Sequence, residues 1–173
     1  VGAEMCIRDS PQTVQRLPRR LGDERVRVAF ARLQHREHPV ALDQIPLLLS
    51  EVRQAHRAGQ ISEGALKNIE AWLGEDRYAD YRAELAEHIE SGQWQQLDDL
   101  FWTVIPFGTG GRRGRMYPIG SNAINDRTIG ESAAGLATYV RRQAGEKSPL
   151  ACAIGYDTRH RSRHFAELCA GVM

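Results

Sequence analysis

Apolar residues recur at helical spacing through much of the first hundred residues of the chain. A stripe of apolar positions three or four residues apart is typical of an amphipathic helix that covers a core. The pattern predicts four helices, whose apolar positions lie within residues 45–52, 66–73, 78–89 and 94–101. Gly59, Gly74 and Gly92 follow the first three stripes as predicted helix ends, and Ser62 is a predicted N-cap. We interpret the tryptophans and tyrosines in these stripes as core residues.

The pattern changes at Val104 to that of an α/β fold. Residues 150–155 form a continuous apolar run, which is typical of a strand covered on both faces. A long helix capped by Asn125 or Asp126 precedes this run, and another helix is predicted to begin at Ser162. Strand, crossover helix and strand together predict a right-handed βαβ unit in a mixed sheet, with loops at the strand ends facing a ligand.

Composition narrows the class of protein. Of the 173 residues, 42% are hydrophobic and 26% are charged, so the chain can build a core. The net charge of +1 argues against a nucleic-acid or membrane surface, and no apolar run approaches the ~20 residues that span a bilayer. Cys6, Cys152 and Cys169 show no paired spacing, and the last two fall in predicted buried elements. We therefore expect a reduced, cytoplasmic protein.

Residues 107–114 carry the clearest chemical signal, the octet Phe-Gly-Thr-Gly-Gly-Arg-Arg-Gly. Glycine lets backbone amides approach a ligand closely, and arginine offers a planar fork that matches phosphate oxygens. The octet therefore predicts a phosphate-binding loop. It is not a P-loop, which ends in Gly-Lys-Ser/Thr, and it lacks the third glycine of the dinucleotide fingerprint at Arg113.

The octet resembles the first active-site loop of the α-D-phosphohexomutases, the phosphoglucomutase and phosphomannomutase superfamily. That family carries F-G-T-x-G-x-R-G, which this chain matches at Phe107, Gly108, Thr109, Gly111, Arg113 and Gly114. A second family pattern, G-x-D-x-R after an apolar run, is matched within residues 154–159. Gly110 and Arg112 depart from the usual residues at their positions. The resemblance covers residues 104–173.

The resemblance implies an isomerase that moves phosphate between the C1 and C6 hydroxyls of a hexose phosphate. In the family a phosphoserine donates the phosphate, Mg²⁺ neutralises the transferring group, and a glucose 1,6-bisphosphate-type activator primes the enzyme. The implied partner is a phosphosugar substrate. No protein partner is predicted.

The resemblance also implies roles for individual residues. Arg113 is expected to be catalytic and to bind phosphate, with Thr109, Gly110 and Gly111 contributing hydroxyl and amide contacts. Asp157 and Arg159 follow the predicted strand, where they either pair with each other and shape the loop or contact substrate. Arg112 is expected to be solvated.

Neither the family's phosphoserine loop nor its magnesium loop occurs in the chain, which ends within an apolar helical pattern. We therefore expect an inactive N-terminal fragment, with an incomplete domain I over residues 104–173. Residues 11–103 would be a helical extension, which loosely resembles that of the phosphopentomutase and glucose-bisphosphate-synthase branch. Residues 1–10 are predicted to be a disordered tail or a sequence artefact, because Met5 to Ser10 resemble translated sequencing-adaptor readthrough.

A different class of function stays open from the sequence. A phosphate-binding or protein-interaction domain without enzymatic activity would also use a glycine loop and a helical extension. His160 and His164 have the spacing of a zinc pair, but no third ligand of suitable type lies near them in sequence, so a metal site is not predicted.

Overall fold

The computed structural model describes residues 40–144 and 150–173. The predictions for residues 1–10, which include Cys6, and for residues 11–39 lie outside these residues. The first part, here called the helical unit, comprises α1 Ile45–Arg57, α2 Glu63–Gly74, a 3₁₀ helix Asp76–Tyr81, α3 Arg82–Glu90 and α4 Trp94–Phe101. It is followed by β1 Phe107–Gly108, β2 Gly111–Arg112, α5 Asp126–Ala144 and α6 Ser162–Val172.

Local sequence signals position the helices of the helical unit. The Ser62 hydroxyl accepts the Ala65 N–H at 3.3 Å and caps α2, as predicted. Gly59 and Gly92 follow α1 and α3 with φ of 73° and 64°, a left-handed conformation that favours glycine. The four predicted helices are confirmed, except that the first part of the third is the 3₁₀ helix.

An aromatic cluster lies at the centre of the helical unit. Trp72 stacks on Tyr78 with ring centroids 4.7 Å apart, and it meets Phe101 edge-on at 5.3 Å. All three side chains are buried, together with Leu73 and Leu85. The interpretation of the aromatic stripe as core is confirmed. Large buried rings contribute both area and favourable ring geometry to such a core.

Residues 115–125, here called the docking segment, connect the hairpin to α5. Ile119 and Ala123 are fully buried in the core of the helical unit. At the end of the segment, the Asn125 side-chain oxygen accepts the Thr128 N–H at 2.9 Å. Of the two predicted caps, Asn125 and Asp126, it is therefore Asn125 that caps α5. Helix α5 then packs against α6.

Two predictions about residues 150–155 are wrong. These residues form no strand, they are exposed, and Cys152 is exposed with them, whereas Cys169 in α6 is half-buried. Within residues 40–144 and 150–173, the sheet is the antiparallel β1–β2 pair, so the predicted βαβ unit is not formed there. A strand needs a neighbouring strand for its backbone hydrogen bonds, and the described residues supply none beside 150–155. In the same residues, no helix is long and apolar enough to cross a membrane.

Candidate functional site

The glycine loop, residues 107–114, is a tight hairpin. Strands β1 and β2 pair antiparallel, with Phe107 opposite Arg112 and Gly108 opposite Gly111, and Thr109 and Gly110 form the turn. Gly111 has φ of 117°, which a residue with a side chain adopts only under strain. The glycines therefore fix a fold-back that most other residues would resist.

A cleft of about 180 Å³ lies against this hairpin. It is lined by Pro106, Gly108, Thr109, Gly110, Gly111 and Arg113. The structure thus brings together the four residues that the sequence predicted to bind phosphate. The Arg113 side chain is exposed and forms no ion pair with a residue of 40–144 or 150–173. Its guanidinium is therefore available to an anion that enters the cleft.

Arg112 differs from its neighbour, and the prediction that it is solvated is wrong. Its Nε and Nη1 atoms are buried, and neither has a hydrogen-bond partner among the described residues. Arg112 belongs to the β1–β2 pairing, whereas Arg113 follows it.

Asp157 and Arg159 form an ion pair with each other. Arg159 Nε donates to Asp157 Oδ2 at 2.8 Å, and the Arg159 backbone N–H donates to Oδ1 at 3.0 Å. That backbone hydrogen bond, together with those from the side chains of Ser162 and Arg159, lowers the pKa of Asp157 below its ordinary value. Neither residue lines the cleft beside the glycine loop.

A cluster that sequence reasoning missed connects α5 to α6. Asp126 Oδ1 accepts hydrogen bonds from His164 Nε2 at 2.8 Å and from Arg161 Nη2 at 3.0 Å. Asp126 is buried, and Arg161 has a left-handed φ of 58°, unusual for a residue with a side chain. The partners lie 35 and 38 residues apart in sequence, so no local signal could have indicated the cluster.

Residues 105–173 match the phosphoglucomutase/phosphomannomutase alpha/beta/alpha domain I. Within this segment the chain is similar to that family. The match includes both the glycine loop and the Asp157–Arg159 pair, and it confirms the predicted superfamily and the α/β class of this part of the chain.

Individual relatives extend the similarity into the helical unit. The chain is 32% identical to a phosphoribomutase of Saccharomyces cerevisiae over 104 residues, 60% of this chain and 16% of the relative. It is 32% identical to a phosphoglucomutase of Staphylococcus aureus over 111 residues, 64% of this chain and 19% of the relative. The chain thus spans less than a fifth of the length of these relatives. No solved structure matches the chain.

The magnesium ion that is typical of the family has no ligand set in the described part of the chain. No group of three His, Cys, Asp or Glu side chains converges in residues 40–144 and 150–173. His164 is bonded to Asp126, and His160 is exposed.

Proposed function

We propose that the protein acts as a phosphosugar mutase and that the glycine loop is its phosphate-binding element. The observation that carries this proposal is the cleft beside the loop, which is lined by Thr109, Gly110, Gly111 and Arg113 within the segment that matches domain I. Among the described residues, Arg113 has no ion-pair partner. The reaction would interconvert a hexose 1-phosphate and a hexose 6-phosphate. The alternative of binding without catalysis is an outcome of the experiment below.

Arg113 would act by electrostatic stabilisation of the phosphoryl group. A guanidinium can donate two parallel hydrogen bonds to phosphate oxygens, which a lysine ammonium cannot reproduce. Phosphoryl transfer spreads charge over the equatorial oxygens in the transition state, so a fixed cation there lowers the barrier. Thr109 and the amides of Gly110 and Gly111 would complete the contacts with the phosphate.

The described residues hold only this electrostatic part of the chemistry. The family's phosphoserine loop is absent from the sequence, so we propose that the 173-residue chain alone binds phosphate esters without turning them over. Asp157 and Arg159 would shape the loop that precedes α6, because the two side chains already form an ion pair with each other. We propose a domain boundary near residue 104, where the helical unit gives way to domain I.

A chimera tests the proposal in a complete active site. The 111 residues of the Staphylococcus aureus phosphoglucomutase that match this chain are replaced by their counterparts here. Conversion of glucose 1-phosphate to glucose 6-phosphate is then followed with a coupled dehydrogenase, with glucose 1,6-bisphosphate as activator. We expect the chimera to be active and to lose activity when Arg113 is changed to alanine.

The isolated chain provides the second arm of the experiment. We expect it to bind glucose 1,6-bisphosphate in a calorimeter and to give no turnover in the coupled assay. Binding by the isolated chain together with a folded but inactive chimera would favour the non-enzymatic alternative. If the chain is folded but does not bind the bisphosphate, the proposal that the glycine loop binds phosphate is wrong.

A further inference from the structure

The glycine loop has little structure of its own. Two residue pairs connect β1 with β2, and Thr109 and Gly110 in the turn are exposed. A short two-stranded hairpin is at best marginally stable in water. The shape of the loop therefore depends on what fixes the residues on either side of it.

The docking segment fixes both sides of the loop. Upstream, the Ile105 N–H donates to the Ser121 carbonyl at 2.8 Å. Downstream, the docking segment continues directly from Gly114, and its first residue is fixed within the segment because the Ile124 N–H donates to the Arg115 carbonyl at 2.8 Å. The two sides also pack together, because a Cβ on Gly114 would lie 2.7 Å from Ile105 Cδ1. The entry and the exit of the loop are thus attached to one segment.

The docking segment in turn lies on α4 of the helical unit. The Asn122 N–H donates to the Leu100 carbonyl at 2.9 Å, and its side-chain amide donates to the Asp99 carbonyl at 3.1 Å. Gly120 has φ of 111°, and a Cβ there would lie 2.7 Å from the Leu100 carbonyl oxygen. These contacts satisfy carbonyl groups at the end of α4 that have no partner within the helix.

A hydrogen bond between two side chains also connects the helical unit to the docking segment. His88 is 7% exposed, its Nδ1 lies 2.8 Å from the Glu84 carbonyl, and its Nε2 lies 2.6 Å from the Tyr117 hydroxyl. A carbonyl can only accept, so Nδ1 carries the proton when the ring is neutral. Nε2 then accepts from the Tyr117 hydroxyl. The geometry fixes both the tautomer of His88 and the position of Tyr117.

We propose that the helical unit is a platform that holds the glycine loop in its phosphate-binding shape, with His88 and Tyr117 as positioning residues. Tyr117 lies three residues beyond Gly114 at the start of the docking segment. Loss of the Tyr117 hydroxyl leaves the buried His88 Nε2 without a hydrogen-bond donor. It also removes a contact that holds the chain directly after Gly114. The inference rests on the proposed function only for the identity of the ligand.

The test uses the full chain with Tyr117 changed to phenylalanine. Hydrogen exchange of the amides in residues 108–112 measures the shape of the loop, and calorimetry measures the affinity for glucose 1,6-bisphosphate. We expect exchange to accelerate in the loop and affinity to fall on the order of 2- to 10-fold, the equivalent of one neutral hydrogen bond. Tyr139→Phe is the matched control, because Tyr139 is exposed on α5.

A second pair of variants distinguishes positioning from simple loss of stability. His88→Gln retains a side-chain oxygen that can accept from Tyr117, whereas His88→Ala does not, so glutamine should restore part of the affinity that alanine loses. The proposal is overturned if Tyr117→Phe leaves both loop exchange and affinity at parent values. It is equally overturned if exchange accelerates by the same factor throughout the helical unit. If the parent chain binds no bisphosphate, the proposed function fails, and loop exchange alone decides on the platform.

Discussion

The helical unit and the residues that follow it differ in how they bury apolar side chains. In the helical unit Leu73, Leu85 and Phe101 are completely buried, and the core closes among neighbouring helices. Beyond residue 105 several large apolar side chains are exposed, namely Leu136, Tyr139, Val140, Leu150, Ile154 and Tyr156. The helical unit therefore holds most of the buried core, whereas the part that carries the phosphate chemistry buries fewer of its large apolar side chains.

This difference indicates which part of the molecule keeps the candidate site ordered. The docking segment contributes Ile119 and Ala123 to the core of the helical unit. Farther along, Arg127 of α5 donates to the Arg77 carbonyl at 3.2 Å, and its guanidinium lies over the Tyr78 ring. Arginine over an aromatic ring adds a favourable electrostatic contact to such packing. A site on an exposed hairpin can thus be ordered by a core that carries none of its chemistry.

The largest expected effect comes from breaking the core of the helical unit. Leu73→Ala should lower the free energy of unfolding by about 2–5 kcal/mol, because it removes a completely buried side chain. Leu136→Ala, the matched change at a side chain that is 51% exposed, should stay within about 0.5 kcal/mol. Urea unfolding followed by circular dichroism measures both. Protection of the glycine loop that outlasts the helical unit in Leu73→Ala would contradict the dependence of one region on the other.

The next effect falls on chemistry rather than on stability. Arg113→Ala should lower kcat/KM of the active chimera by about two to three orders of magnitude, the equivalent of 2–4 kcal/mol for one charged contact to a transition state. Arg113→Lys should recover only part of this loss, because a point charge makes no bidentate contact. Thermal melts of both variants should match the parent, since Arg113 is exposed. A parent-like kcat/KM in a folded Arg113→Ala chimera would show that Arg113 takes no part in catalysis.

A smaller effect of the opposite sign is expected at the neighbouring arginine. Arg112→Met should raise the free energy of unfolding of the unliganded chain by about 1 kcal/mol, because it removes two buried donors that have no partner among residues 40–144 and 150–173. Methionine can replace the apolar stem of the arginine. Arg113→Met, at an exposed position, is the control and should leave stability unchanged. A loss of stability in Arg112→Met alone would show that this guanidinium does have a partner.

The smallest expected effect is on the pH dependence of the loop before α6. The pKa of Asp157 is lowered from its ordinary 3.8, so its interaction with Arg159 stabilises the loop above that pH and is lost as the pH falls through the lowered pKa. Asp157→Asn should therefore accelerate amide exchange of Arg159 at neutral pH and have no effect in strong acid. Asp80→Asn, at an exposed aspartate, controls for the change in net charge. An effect of Asp157→Asn that is equal at both pH values would contradict the ion pair.

The helices could be predicted from the sequence because their signals are local. Apolar periodicity, the cap at Ser62 and the glycines at 59 and 92 all act within one or two helical turns. The glycine loop could be predicted for a similar reason, since its residues are contiguous. The prediction of phosphate binding therefore rests on eight contiguous residues.

Other features depend on contacts that no local pattern encodes. An apolar run such as 150–155 becomes a strand only when another strand pairs with it, so its composition alone was misleading. The burial of Arg112 follows from the pairing of the hairpin, which decides which of two adjacent arginines belongs to the ladder. His88 and Tyr117 lie 29 residues apart, and neither residue belongs to a motif. Long-range polar contacts of this kind need the folded chain to be recognised.

The position of Trp72 in the aromatic cluster has a consequence for observing the protein in solution. The chain has three tryptophans, Trp72, Trp94 and Trp102, and residues 105–173 contain none. When fluorescence is excited at the red edge of the absorption band, only the tryptophans emit. The emission therefore originates wholly from the helical unit and its end, and the glycine loop contributes none. A phosphate ester bound at the loop can change that emission through residues 103–106, which lead to Trp102, or through the docking segment. Fluorescence of the unlabelled chain thus reports directly whether the two regions respond together.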